Sequence, residues 1–253
     1  MRIYQYWDTG APPDTIAEGV DSFRDRNRGM KHRLYDRDAA AWFIGKRLGQ
    51  RERRAFEACA VPAMQADYFR LCALWATGGV YADCDQTCGE PIQSLLARFQ
   101  SPLVPTRKGL VTQHFMIFPR PGDSFLRTFL DLTILNIEAR DIPNVHTATG
   151  PGAMRALWTL LDPATAAANR AEMTSPQKAG WGYEQVLDRA RSHCDLGPDV
   201  VRAFGAIATI DRVEAFPWFA PIPADYKATA VHWMHWPGSI YADAAASGPG
   251  GAA

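Results

Sequence analysis

The chain has 253 residues, 47% of them hydrophobic and 11% aromatic, which is ample for one large α/β domain with a real core. Lysine plus arginine balances aspartate plus glutamate at 27 each, so nothing in the bulk charge would recruit a nucleic acid. Five cysteines, Cys59, Cys72, Cys84, Cys88 and Cys194, are odd in number and form no Cys-x-x-Cys. That excludes a disulfide framework and a zinc knuckle, fits a reduced compartment, and reads each as a buried thiol.

The chain opens on a strand-like run, residues 2–7, closed by Asp8-Thr9-Gly10 and Pro12-Pro13-Asp14. No basic region precedes an apolar stretch, so no signal peptide is expected. No window approaches the ~20 apolar residues of a membrane span. The expectation is a cytoplasmic protein that meets any lipid-linked substrate from the membrane surface. Helical spacing of Ile16, Val20 and Phe23 predicts a helix over about 14–27, and His32-Arg33-Leu34-Tyr35 a second strand. Asp38 offers an N-cap for a helix carrying Trp42, Phe43 and Leu48. The charge run Arg51-Glu52-Arg53-Arg54 reads as a solvated helix face.

Residues 62–77 read as a central helix. Pro62 suits its first turn, Met64, Tyr68, Leu71, Cys72 and Trp75 form its buried stripe, and Gly78-Gly79 ends it. Val80-Tyr81-Ala82 follows as a strand. Later strands are expected at 115–118, 207–210 and 230–233, and helices at about 123–138, 151–161 and 183–191. Mixed helices and strands predict an α/β class with a sheet covered on both faces. No linker divides the chain, so residues 1–243 are expected to form one domain and 244–253 a flexible tail. Trp158, Trp181, Trp218 and Trp236 read as core, or in part as a platform for an acceptor sugar.

The chemistry concentrates between Asp67 and Asp85. Strand side chains alternate, so Asp83 and Asp85 are expected to point to one side and Cys84 to the other. Two carboxylates there suit Mn²⁺ or Mg²⁺, which favour oxygen ligands and keep waters. Carboxylates repel a diphosphate, and a divalent ion between them reconciles the two. Asp67 and Arg70, three apart on the helix, form a rigid acceptor–donor pair suited to a hydroxyl-rich ligand, or simply a local ion pair.

Taken together, Asp67-Tyr68-Phe69-Arg70 and Thr77-Gly78-Gly79-Val80-Tyr81-Ala82-Asp83-Cys84-Asp85 resemble the sugar transferases with a DXD-containing sugar-binding region. That family includes the fungal initiating α-1,6-mannosyltransferase and bacterial transferases of capsular polysaccharide biosynthesis. Its pattern runs Ser-Asp-Tyr-x-Arg, then Tyr-Gly-Gly-Ile-Tyr-x-Asp-x-Asp; Ala66 and Thr77 depart from it mildly. Ile3-Tyr4-Gln5-Tyr6-Trp7, Leu34-Tyr35-Asp36, Thr149-Gly150-Pro151 and the segment from Ala230 to Ser239 resemble further family segments in family order. Gln113 stands where the family commonly has Asn, and Ile240 where it has a final Trp.

The resemblance implies a GT-A fold, with a Rossmann-like mixed central sheet flanked by helices. It also implies a UDP- or GDP-linked sugar donor, a hydroxyl acceptor (glycan, lipid-linked sugar or protein) and retention of anomeric configuration. By position, Asp85 is implied as the metal ligand and Asp83 as a contact to ribose, sugar or metal. Asp67 and Arg70 are implied to grip donor hydroxyls, with Tyr81, Gly150 and Ser239 lining the donor and Trp7 beside the base. A C-terminal histidine is implied near metal or diphosphate. His235 keeps the spacing to Ser239 and His232 keeps the preceding Ala-Val pair, so both stand. Two other functions fit parts of the same residues: a non-catalytic nucleotide-sugar or polysaccharide-binding protein, and a phosphohydrolase of the haloacid-dehalogenase type using Asp83 in Asp83-Cys84-Asp85-Gln86-Thr87 as nucleophile.

Overall fold

The computed structural model describes residues 1–9, 11–222 and 233–242. The expected strand at 230–232, with His232, and the expected tail at 244–253 lie outside the described residues. In chain order the elements are β1 (Arg2–Tyr6), α1 (Asp14–Arg26), β2 (Lys31–Tyr35), α2 (Arg37–Arg47), α3 (Gln50–Glu57), α4 (Pro62–Thr77), β3 (Gly79–Ala82) and β4 (Gln86–Thr87). Next come α5 (Ile92–Arg98), β5 (Leu103–Arg107), β6 (Leu110–Val111), β7 (Phe115–Phe118), α6 (Ser124–Ala139), α7 (Val145–Ala148), α8 (Pro151–Leu161) and α9 (Pro163–Met173). α10 (Tyr183–His193), α11 (Pro198–Gly205), β8 (Ala208–Asp211) and β9 (Ala220–Pro221) complete the set.

Among the described residues the main sheet has the order β2-β1-β3-β7-β5-β6, with β8 pairing β5. β1 is parallel to β2 and β3, β7 is antiparallel to β3 and β5, and β8 is parallel to β5. This is the mixed, helix-flanked α/β sheet expected of a GT-A domain. Its registers bring the ends of β1, β3, β5 and β8 and the start of β7 to one edge, where ligands gather in such sheets.

Alternating side chains supply both faces of the sheet. Ile3, Val80, Phe115 and Ile117 pack with Phe23, Ile92, Leu95 and Phe219 on one side. Tyr4, Tyr6, Tyr81, Met116 and Phe118 join the helices on the other. There Phe69 of α4 lies 4.8 Å from the Tyr35 ring centroid, 5.7 Å from Tyr6 and 6.0 Å from Phe43. Phe69→Ala removes the centre of this cluster and is expected to cost about 3–5 kcal/mol by urea unfolding, against under about 1 kcal/mol for an exposed α3 substitution.

α4 is more deeply buried than its apolar stripe suggests. Gln65, Asp67 and Arg70 are buried along with the apolar residues. Gly78 ends it with φ 62°, and a Cβ there would sit 2.8 Å from the Arg120 carbonyl carbon and 2.9 Å from the Phe118 carbonyl oxygen. Only glycine lets the chain turn straight from α4 into β3.

Several local expectations are corrected. Asp36, not Asp38, caps α2: its backbone is extended and its Oδ1 accepts from the Ala39 N–H at 2.7 Å. Asp38 falls in the first turn, where it complements the helix dipole. Trp42 is 64% exposed, because Ala40, Ala41, Phe43 and Ile44 supply the inward face of α2. Residues 83–85 leave the strand as a turn closed by Gln86 N–H donating to the Asp83 carbonyl. Trp233 lies in a short 3₁₀ turn, Trp233–His235, and not in a strand. Trp158 is core, whereas Trp218 donates to Ser94 and Trp236 to the Ser239 carbonyl.

The charge run on α3 is only partly solvated: Arg51 pairs with Glu138 and Arg53 with Glu57 at the surface, whereas Glu52 is largely covered and pairs with Arg127. All five cysteines are free; four are buried and Cys194 is partly exposed. Among the described residues no helix is long and apolar enough to cross a membrane.

His32 on β2 carries a pH-linked prediction. Burial, aided by Arg24 and opposed by Asp21 and Asp25, lowers its pKa to about 4. The unfolded chain therefore takes up this proton first, and stability falls as pH drops from about 6.5 to about 4, by roughly 2–3 kcal/mol at full effect. His32→Gln is expected to remove that part of the slope in denaturation measured across this window.

Candidate active site

A cavity of about 430 Å³ opens at the sheet edge just described. Trp7, Asp67, Arg70, Tyr81, Asp83 and Asp85 all line it. Trp7 follows β1, its N–H bonded to the Tyr35 carbonyl at 2.9 Å. Asp83 follows β3, its N–H bonded to the His114 carbonyl at 2.8 Å, which extends the β3–β7 pairing by one residue.

The turn bearing Asp83 and Asp85 is fixed from three sides. The Cys84 thiol points inward to the Tyr6 carbonyl at 3.1 Å, so the two aspartates still face away from it as strand alternation would have placed them. β4 pairs with β9, and Ile222 N–H reaches the Asp85 carbonyl at 2.9 Å. Gly19 of α1 lets the helix close against this turn: a Cβ there would meet the Gln86 and Cys84 carbonyl oxygens at 2.7 and 3.0 Å.

Behind the turn lies a buried polar cluster. Arg70 contacts Asp67 at 3.0 Å and Asp83 at 2.8 Å. It also donates to the Gln113 carbonyl at 2.9 Å, and its guanidinium lies 4.7 Å from the Tyr81 ring centroid. Asp67 accepts from Gln113 Nε2 at 3.0 Å on one oxygen and from the Thr149 hydroxyl at 3.3 Å on the other. Gln113 Nε2 also reaches the Thr149 carbonyl at 3.1 Å. The pair read as three apart on a helix is thus one side of a network spanning α4, β3, β7 and the loop before α8.

Electrostatics follow from burial. Asp67 is raised to about 6 by desolvation, against the lowering effect of Arg70, Thr149 and Gln113. Asp83 is raised to about 7, by desolvation first and by Asp85, with Arg70 opposing. Burial works to lower Arg70, but Asp83, Tyr81 and Asp67 together outweigh it and hold the guanidinium charged.

Asp83 and Asp85 offer hard carboxylate oxygens. Among the described residues no group of three or more His, Cys, Asp or Glu side chains is arranged as a metal cage. Two carboxylates of this kind are ligand types that hard divalent cations such as Mg²⁺ or Mn²⁺ accept, with remaining positions open to other oxygens.

Other expected site residues fall elsewhere. Gly150 caps α8 just behind the cavity, whose lining includes its neighbour Pro151. A Cβ on Gly150 would clash with the His146 backbone at 2.8 Å, so its role in the structure is close packing. The Thr149 hydroxyl, one residue before that cap, is turned to Asp67. Ser239 accepts from the Tyr241 N–H, and neither Ser239 nor His235 lines the cavity. His232 is outside the described residues.

Sequence reasoning missed Thr149 as a partner of Asp67 and treated Gln113 only as a departure. It also missed His146, Arg107, Arg155 and Arg212, which line the cavity. Arg107 and Arg212 stand at and just past the ends of β5 and β8. The rule that ligands gather at strand ends was the available signal.

Residues 13–102 match the model of the family described as glycosyltransferase sugar-binding region containing DXD motif. No curated protein matches the chain. Among solved structures, the PaToxG glycosyltransferase is 15% identical, covering 81% of this chain and 84% of its own, with a TM-score of 0.49. The ligand-free glycosyltransferase domain of the YGT toxin is 11% identical over 83% of this chain and 79% of its own, with a TM-score of 0.48. The UDP-bound form of that domain is 11% identical over 87% and 82%, with a TM-score of 0.47. The matched stretch holds α4 and the Asp83-Cys84-Asp85 turn, and over it the chain is similar to the DXD-containing sugar-binding region of glycosyltransferases.

Proposed function

We propose that the chain moves a sugar from a UDP- or GDP-linked donor to an acceptor hydroxyl on a glycan, a lipid-linked sugar or a protein. We take the reaction to be metal-dependent and to retain anomeric configuration. The observation that carries this reading is the convergence of Asp83 and Asp85 on one cavity with the Asp67–Arg70 pair, which Gln113 and Thr149 hold rigid. A bound divalent ion supplies charge neutralisation for the departing nucleoside diphosphate.

The side chains do the rest. Trp7, beside β1, offers a ring face to the base. Asp85 and Asp83 would hold, through their carboxylate oxygens, the divalent ion that offsets the charge of the diphosphate. Asp67 and Arg70 are already fixed before the sugar arrives, so little ordering is left to be done on binding. The glycosidic bond to phosphate breaks, the acceptor oxygen bonds to the anomeric carbon, and its proton passes to the leaving phosphate oxygen. Asp67 and Asp83 are engaged in hydrogen bonds and ion pairs, which suits positioning better than proton abstraction or nucleophilic attack. The same engagement argues against Asp83 as a phosphatase nucleophile.

A thermal-shift panel of UDP- and GDP-sugars, with and without Mn²⁺, tests the reading, followed by donor hydrolysis for those that bind. Stabilisation that needs both nucleotide and metal, with slow hydrolysis, is expected. Binding without turnover across plausible acceptors would favour a non-catalytic binding protein. No shift with any nucleotide would refute the proposal.

A further inference from the structure

The cavity holds both signs of charge. Its lining combines Trp7, Asp8, Asp67, Asp83 and Asp85 with Arg107, Arg155 and Arg212, and Arg212 is near enough to feel the charge of Asp85. Sheet order fixes the direction: Trp7 follows β1, the aspartate turn follows β3, and Arg107 and Arg212 belong to β5 and β8 beyond β7. If the donor spans Trp7 to Asp85 with its sugar at Asp67 and Arg70, the arginines lie on the side from which an acceptor enters.

Acidic groups act on these guanidiniums only from a distance among the described residues, Glu172 on Arg155 and Asp85 on Arg212. Among the described residues none of the three forms an ion pair within 4.0 Å. Arg155 is only 6% exposed. Its Nε donates to the Val111 carbonyl at 3.2 Å, and its Nη1 faces the Met173 sulfur, a weak acceptor, at 3.6 Å. Arg212 buries an Nε that has no hydrogen-bond partner. A buried cation with unfilled donors is costly unless a ligand completes it. Burial first, and Arg107 with it, press Arg155 and Arg212 below the usual guanidinium range, against the opposing pull of Glu172 and Tyr183 on Arg155 and of Asp85 on Arg212; an arriving anion would add to that pull. Beside Arg155, the His146 ring lies 5.4 Å from Trp181 and 6.3 Å from Trp233. Such faces suit the C–H side of a sugar ring.

We propose that Arg107, Arg155 and Arg212 form an oxyanion subsite for an anionic saccharide acceptor, one carrying a phosphate, diphosphate or carboxylate near its reactive hydroxyl. This rests on the glycosyltransferase reading above, because that reading assigns the aspartates to the donor. Guanidiniums bind such groups through paired N–H donors.

The donor diphosphate could supply the same chemistry, so the test first fills the donor site. The whole chain is saturated with Mn²⁺ and UDP or GDP. Hexose 1-phosphates, hexose 6-phosphates and hexuronates are then titrated calorimetrically against the matching methyl hexosides. At least one anionic sugar is expected to bind ten-fold or more tighter than its neutral counterpart. Arg155→Gln is expected to weaken that binding at least ten-fold, with nucleotide Kd within about twofold. Arg107→Gln and Arg212→Gln, at less buried positions, are expected to act in the same direction and serve should Arg155→Gln not fold. Equal binding of neutral and anionic sugars, or no binding of either to the nucleotide-loaded protein, would overturn the subsite. Loss of nucleotide affinity in these variants would assign the arginines to the donor and overturn it as well. Absence of nucleotide binding in the wild type would overturn the functional reading itself, and this inference with it.

Discussion

Asp85→Ala is expected to fold normally and to lose about 10³-fold in donor turnover. The fold should survive because Asp85 sits in a turn whose position depends on backbone and thiol contacts. The Asp85 carbonyl accepts from Ile222, Cys84 anchors to Tyr6, and Gly19 packs α1 against the neighbouring carbonyls. None of these needs the Asp85 carboxylate, which in addition accepts from the Gln86 side-chain amide at 3.0 Å, a local contact whose loss should cost little beside the backbone anchors. Turnover should fall because a missing electrostatic stabiliser of the leaving group costs about 10²–10³-fold or more, roughly 3–4 kcal/mol of barrier. The measurement pairs thermal denaturation with nucleotide-sugar hydrolysis at saturating Mn²⁺. An unchanged melting midpoint with unchanged turnover would remove Asp85 from the site.

Arg70→Ala should behave oppositely, damaging stability and activity together. Arg70 is almost wholly buried and stands between Asp67 and Asp83, with further contacts to Gln113 and Tyr81. Its removal leaves two desolvated carboxylates without their cation; burial already raises both in the intact protein, and Arg70 is the main group opposing that rise. Breaking a buried pair from one side costs about 3–5 kcal/mol, a large part of the stability of a typical domain. Arg70→Lys keeps the charge but not a planar fork that can serve Asp67, Asp83 and the Gln113 carbonyl at once. It should recover stability in part and activity much less. Chemical denaturation of the two variants against wild type reads the first effect and donor hydrolysis the second. A stability loss below about 1 kcal/mol for Arg70→Ala would show the network to be incidental.

What the sequence made legible, and what it hid, divides along range. Elements with strong local signals are in place: α4 between Pro62 and Gly78, α6 over its apolar run, and β3 after the glycine pair. The family resemblance added the order of the pieces and the identities of Asp67, Arg70, Asp83 and Asp85, which the structure gathers in one cavity. The polar cluster behind them was not legible. Gln113 and Thr149 meet Asp67 across sequence gaps of 46 and 82 residues. No periodicity encodes such a contact, and Thr149 before Gly150-Pro151 reads locally as a cap. Asp83-Cys84-Asp85 looked like strand because alternation of burial persists through the turn.

The arginine side of the cavity shows the same limit. Each arginine is unremarkable in its own segment, and only the β5–β8 pairing and the packing of α8 against β6 gather them. Gln113, which departs from the usual family residue, is the amide that holds Asp67 here. Gln113→Ala is therefore expected to lower transfer at least ten-fold, while metal-dependent nucleotide binding stays within about threefold, as measured by calorimetry and single-turnover transfer.

The central claim is that Asp83 and Asp85 serve a nucleoside diphosphate through a divalent ion. Calorimetric titration of UDP and GDP into the wild-type chain, in Mn²⁺ and again in excess chelator, tests it most directly. Binding of one nucleotide in Mn²⁺, weakened at least ten-fold by chelator and by Asp85→Ala, is the predicted result. Equal affinity in both buffers and in the variant would contradict the account.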